Sequence, residues 1–279
     1  ELFALNYRVS SRGIYQAEWP FDGDFDRRFE LDDNVTELAF SRDKTYLWLL
    51  ETVNDTSKLY KYFYAENKRQ LVMESTKPLS IQDQNNDGSM LLLKRDDRLE
   101  LLDINTGDAI VISIATQDVY TGNFSSSGQY IYFVEGIKEQ KIIKKYDIAD
   151  KTQSHIIAGY RYFAEFERGF VAADADGNVW LLDHELNRER LLFQGVLYDL
   201  NYQLSVQADQ LVIVYRSRVN DWVLSSVNIR TSELWQKRLP QQDFSKNFSI
   251  DPTGTKLIFI TMKKEENQLV KFGYNFGYN

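Results

Sequence analysis

The run Asn123-Phe-Ser-Ser-Ser-Gly-Gln-Tyr-Ile-Tyr-Phe-Val-Glu135, followed after a polar gap by Lys141-Ile-Ile-Lys-Lys-Tyr-Asp147, decides how the chain is read. It describes a strand ending in a polar turn, a second strand of aromatic and β-branched residues, a loop, and a third strand closed by Asp. Flat and branched side chains suit a pleated, half-buried surface. The same order of elements recurs on both sides of it.

Upstream, Val35–Phe40, the turn Ser41-Arg-Asp-Lys44, Tyr46–Glu51, Leu59–Tyr64 and Gln70–Met73 read as a complete four-stranded antiparallel meander. Turns after the first strand fall at Asp43, Asp87, Gly128, Gly169, Asp209 and Gly254, with spacings of 44, 41, 41, 40 and 45. Third strands close at Ala65, Asp103, Asp147, Asp183, Asn228 and Gly273, with spacings of 38, 44, 36, 45 and 45. Four strands per period of this length are the mark of a propeller blade. The expected fold is therefore an all-β single-domain β-propeller of four-stranded antiparallel blades. Seven blades are expected, at 1–31, 32–74, 75–115, 116–158, 159–195, 196–239 and 240–279, with six complete blades as the alternative count. In this count the first blade lacks its innermost strand and the last its outermost, and ring closure requires one terminus to supply strands to the other.

Composition agrees with the class. The 279 residues include 17 Tyr, 17 Phe and 5 Trp but only 4 Pro. With 33 Lys and Arg against 41 Asp and Glu, the net charge of −8 repels polyanions, and no direct nucleic-acid contact is expected. The absence of Cys removes thiolate chemistry and Cys-ligated zinc. No apolar run approaches the roughly 18 residues of a membrane span. A chain starting at Glu1 reads as processed or excised from a longer one, so any membrane attachment is expected only through an upstream segment.

The turns Phe40-Ser-Arg-Asp43, Phe124-Ser-Ser-Ser-Gly128 and Ile250-Asp-Pro-Thr-Gly254 resemble the Phe-Ser-Pro-Asp-Gly pattern of TolB-like propellers, and Leu101-Leu-Asp103 and Trp180-Leu-Leu-Asp183 resemble the matching third-strand ends. Propellers of this size with irregular blades also resemble the C-terminal halves of membrane-anchored winged-helix transcriptional regulators of the CadC and ToxR type. That resemblance implies a periplasmic, non-enzymatic sensory domain of an inner-membrane parent protein. It would bind a protein partner or small ligand without a cofactor, with a homodimer allowed. A cytoplasmic location is the alternative, as is a TolB-like or outer-membrane-assembly scaffold. A hydrolase or lyase propeller is the third reading.

Catalytic signals are sparse. His155 and His184 are the only histidines and lie in different blades, with no Gly-x-Ser-x-Gly elbow to supply a nucleophile. Phosphate-cradling glycine patterns are missing too. Asp83-Gln-Asn85-Asn-Asp87-Gly88 matches the first half of a calcium loop, yet its twelfth position is Lys94 and it coincides with a blade turn, so a plain turn is expected and no metal. The basic cluster Lys138, Lys141, Lys144 and Lys145 is divided between faces by strand alternation and reads as solvated surface.

Binding is expected where each blade's last strand leads into the next blade's first, because those connections converge around the channel mouth. The expected rim residues are Asp118, Tyr120, Tyr160, Arg161, Tyr162, Tyr198, Asp199 and Phe244, since Tyr and Arg dominate binding hot spots. A tyrosine at such a position can equally wedge between blades.

Overall fold

A computed structural model describes residues 2–5, 12–18, 26–30, 34–113, 118–137, 140–194, 201–205, 209–216, 222–239, 242–251, 256–263 and 269–272. Among these, every regular element is a β-strand. The N-terminal strands are β1 (Leu2–Leu5), β2 (Arg12–Glu18) and β3 (Asp26–Glu30). Blade one is β4 (Val35–Phe40), β5 (Leu47–Val53), β6 (Thr56–Phe63) and β7 (Lys68–Ser75). Blade two is β8 (Leu79–Gln84), β9 (Met90–Arg95), β10 (Arg98–Asp103) and β11 (Ala109–Val111). Blade three is β12 (Asp118–Phe124), β13 (Tyr130–Ile137), β14 (Gln140–Asp147) and β15 (Thr152–Ala158). Blade four is β16 (Tyr160–Phe166), β17 (Gly169–Asp174), β18 (Val179–Leu182) and β19 (Arg188–Phe193). Blade five is β20 (Asn201–Ser205), β21 (Gln210–Arg216), β22 (Trp222–Asn228) and β23 (Leu234–Leu239). The C-terminal strands are β24 (Gln242–Ile250), β25 (Lys256–Lys263) and β26 (Leu269–Phe272).

The expected count of seven blades, and equally that of six complete ones, is corrected here: five blades are each complete from consecutive strands. What read as a defective first and a defective last blade is one sheet shared by the two ends, in the order β24-β25-β2-β3. Strand β2 pairs along its whole length with β25, from Arg12 opposite Met262 to Glu18 opposite Lys256. Leu269–Gly273, read as the third strand of a last blade, instead supplies β26, which pairs with β1. The third-strand place in the shared sheet belongs to β2. Each terminus thus covers the edge that the other leaves open, which is how a closed ring avoids exposed strand edges.

First strands sit against first strands around the axis, β24 on β4, β4 on β8, β8 on β12, β12 on β16, and β20 on β24. The seam between blades four and five is filled by Tyr162, Phe166, Val171, Leu211 and Ile213. Burial then falls outward: β5 and β17 are buried on both faces, whereas β11 is exposed throughout. Trp48 and Phe133 are among the largest wholly buried side chains.

Four of the turns after a first strand repeat because one buried polar side chain closes each of them. Ser41 Oγ accepts from the Tyr46 amide (3.2 Å), Asn85 Oδ1 from Met90 (2.8 Å), Ser125 Oγ from Tyr130 (3.0 Å) and Asp251 Oδ1 from Lys256 (2.8 Å). In each, the backbone amide of that same residue donates to the carbonyl five positions on. All four residues are buried, so the polar group must be satisfied locally. Short Ser, Asn and Asp side chains do this because they reach nearby backbone without a long flexible stem.

Candidate functional site

Five first strands carry a register shift among the described residues, β24 between Phe244 and Phe248 and four others at a single extra residue; in β4, β12 and β16 it lies near the start of the strand, at the end fed by the connection from the preceding blade, and in β8 deeper in. Val35 and Glu37 face Glu51 and Leu50, leaving Thr36 as the extra residue. Ile81 and Asp83 face Leu93 and Leu92, leaving Gln82. Val119 and Thr121 face Glu135 and Val134, leaving Tyr120, and Tyr160 and Tyr162 face Asp174 and Ala173, leaving Arg161. A bulge leaves its extra residue outside the ladder and re-aims the side chain. The ring therefore presents Thr36, Tyr120 and Arg161 near the starts of their strands on one face, whereas Gln82 lies further along β8.

Four first strands hand a polar side chain to the next. Ser249 Oγ accepts from the Phe40 amide (3.0 Å), Glu37 Oε2 from Ile81 (2.7 Å) and Asp83 Oδ2 from Phe124 (2.8 Å), while Asn123 Nδ2 donates to the Phe163 carbonyl (3.0 Å). These contacts satisfy backbone groups on the axis-facing edge, which has no further strand to pair with. Burial pushes the Glu37 carboxyl up to about 7, against the Ile81 amide and the Ser80 hydroxyl, which both lower it. Its protonated form is therefore favoured by folding, so this stabilisation is present below about 4.5 and is lost as the pH rises through about 7. Glu37→Gln, which keeps an acceptor for Ile81, is expected to raise the thermal midpoint at pH 8 and to flatten its fall between those two pH values. Parallel melting curves across that range check this; unchanged curves would contradict it.

At the bulges of blades three and four Lys141 packs on Tyr120, and Arg161 is near enough for its charge to act on Lys141. Lys141, in β14 opposite Gly136, places its Nζ 3.7 Å from the centre of the Tyr120 ring. Its carbonyl accepts from the Gly159 amide (2.9 Å), and Gly159 stands at φ +91° in the connection leading to Arg161. That bond brings the exposed Arg161 alongside. Burial, and then the Arg161 charge, lower the Lys141 ammonium from its ordinary value. Among the described residues neither cation forms an ion pair. Two crowded cations on an aromatic face suit a carboxylate, whose negative charge relieves their repulsion.

The other expected rim residues are placed differently. Tyr160 and Tyr162 are each 5% exposed and wedge between blades, Tyr160 in the core shared by blades three and four and Tyr162 in that shared by four and five. The Tyr160 hydroxyl accepts from Arg188 Nε (3.1 Å). Asp118 and Phe244 lie in β12 and β24, with side chains outside the described set, and Tyr198 and Asp199 lie outside the described residues. Lys141 escaped the sequence reading, in which the whole basic cluster was solvated surface. In fact Lys144 turns inward to Glu135, Lys145 lies 3.4 Å from the Tyr130 ring, and Lys141 joins the rim. Only its place opposite the end of the β13–β14 hairpin could have signalled this.

The calcium-like loop is a set of turn and seam contacts. Asp83 binds Arg42 (3.0 Å) and the Phe124 amide, Asn85 closes its turn, and Asp87 Oδ1 accepts from the Ser89 amide (2.8 Å). Among the described residues no group of three or more His, Cys, Asp or Glu side chains is arranged to hold a metal ion. His155 and His184 are exposed in separate blades.

Comparison with solved structures settles the fold. A putative TolB from Agrobacterium tumefaciens superimposes with a TM-score of 0.69 at 12% identity, over 91% of this chain and 99% of that one. The fold is TolB-like. TolB from Acinetobacter baumannii matches with a TM-score of 0.58 at 11% identity, over 92% of this chain and 65% of that chain. An oligogalacturonate lyase from Vibrio parahaemolyticus matches at 0.53 and 14% identity, over 78% of this chain and 68% of its own. No protein-family model matches the sequence, and no curated protein does either. At such identities the TolB-like likeness is one of architecture.

Proposed function

We propose that this TolB-like propeller is a non-enzymatic protein-interaction module that receives a carboxylate-bearing segment of a partner on its bulged face. The observation that carries the reading is Lys141 Nζ over the Tyr120 ring, with the charge of Arg161 from the neighbouring blade acting on it and neither cation in an ion pair among the described residues. The further rim positions Asp118, Tyr198, Asp199 and Phe244 belong to this face in the proposal. The likeness to both TolB structures fits an interaction role, and an oligogalacturonate lyase shares the same architecture. A periplasmic location is part of the same proposal. The narrower regulator reading rests on its sequence resemblance alone, and none of the three neighbours described above bears a regulator's name.

Charge reversal tests the proposal. Arg161→Glu and Lys141→Glu are each expected to weaken capture of the native partner in affinity purification about tenfold or more, the scale of a lost charged contact at an interface. Arg161→Glu should not move the thermal midpoint appreciably, because Arg161 is exposed. Full capture by the double variant would refute the assignment.

A further inference from the structure

Beside the rim, Asp174 lies opposite Tyr160 at the bulge of blade four. Both its oxygens are filled from within the blade. Oδ1 accepts from the Asp176 and Asn178 amides (3.0 Å each), and Oδ2 from Trp180 Nε1 (3.0 Å) and Asn178 Nδ2 (3.3 Å). The indole of Trp180 is thereby fixed by its N–H. Arg188, in β19, sets its guanidinium carbon 4.4 Å from the centre of the Trp180 ring and donates through Nε to the Tyr160 hydroxyl (3.1 Å). Arg188 Nη2 stays 3.8 Å from Asp174 Oδ2, an ion pair beyond hydrogen-bond range, because that oxygen already serves two donors.

Arg188 is thus oriented without the hydrogens of Nη1 and Nη2, which have no hydrogen-bond partner among the described residues. Fixing a long side chain costs rotamer entropy, and here that freedom is already lost in the free protein. The Arg188 side chain is 48% exposed, and Leu191, the ladder partner of Trp180, is 41% exposed beside it. Asp174 balances the charge of Arg188, so the platform does not select an anion. It suits an aromatic ring, which is drawn to the open face of a guanidinium and meets Leu191 with its edge. The link to the rim is Tyr160, which precedes Arg161 in the chain and whose hydroxyl holds Arg188. The two places are separated by little more than the length of that tyrosine, a distance that about two to four residues of extended chain cross at about 3.3 Å each.

We propose that the partner segment placing a carboxylate against Lys141 and Arg161 also lays an aromatic side chain on Arg188, so that this face reads an acidic and an aromatic residue a few positions apart. The proposal rests on the interaction reading above and adds the second residue to it.

Fluorescence anisotropy of the whole chain tests this with fluorescein-labelled Gly-Ser peptides that carry one Asp and one Phe, separated by one, two or three other residues. At one of these spacings Phe is expected to bind about fivefold tighter than Ala in its place, the scale of one cation–π contact. In Arg188→Ala that preference should fall below about twofold while the preference for Asp over Asn persists. In Arg161→Glu the preference for Asp should vanish. Arg188→Met, which keeps a flexible stem on Trp180, takes the place of Arg188→Ala if the latter unfolds. Equal binding of Phe and Ala peptides at every spacing, or a preference for Phe that survives in Arg188→Ala, would overturn the inference and leave the carboxylate reading standing. Equal binding of Asp and Asn peptides with Phe still preferred would instead refute the carboxylate reading, and no binding by any peptide would refute both.

Discussion

Gly169→Ala is expected to destabilise the protein by about 3 kcal/mol or more, the combined scale of overpacking and backbone strain. Gly169 opens β17 at φ +143°, and a Cβ there would lie 2.0 Å from the Leu182 carbonyl oxygen of β18. The obstacle is the backbone of the paired strand, which cannot swing aside as a side chain would. Both costs fall on a buried position between two central strands of blade four. Gly128 is the matched control: it also has positive φ, +73°, but a Cβ meets nothing within 4 Å. Gly128→Ala should therefore cost only the left-handed penalty, about 1 kcal/mol. Urea unfolding of the two variants checks the difference; equal losses would contradict the steric argument.

Lys144→Met is expected to be comparably severe, about 3–5 kcal/mol, because it strands a buried carboxylate. Glu135 is 0% exposed, its Oε1 is bound by Lys144 Nζ, and its Oε2 has no other partner. Removing the ammonium leaves that charge without compensation in a low-dielectric interior. The paired change Glu135→Leu with Lys144→Met should recover most of the loss, since apolar replacement of a buried pair is often neutral. A double variant as unstable as Lys144→Met alone would show that the loss comes from packing and not from the unpaired charge.

The blade pattern was readable because its determinants are local. Ser41, Asn85, Ser125 and Asp251 each close a turn within five residues, and that leaves a mark at four of the six turns. The blade count failed where the determinant is remote, as β2 meets β25 across nearly the whole chain. Two incomplete sequence units look like two weak blades until their edges are seen to pair. The rim was legible only as a region. A bulge adds one residue without demanding a residue type, so nothing marked Tyr120 and Arg161 as re-aimed or Tyr160 and Tyr162 as buried wedges. Lys141 was hidden among lysines whose three different fates depend on which neighbour each meets.

The central claim is that the bulged face around Tyr120, Lys141 and Arg161 is where a partner docks. It is tested most directly by placing a photo-crosslinking amino acid at position 161 and, as a control, at the exposed outer-strand position Leu234, then irradiating intact cells. The expected result is one discrete adduct at position 161, absent at 234 and lost when Lys141→Glu is added. Adducts of equal yield at both positions, or an adduct at 161 indifferent to Lys141→Glu, would contradict it.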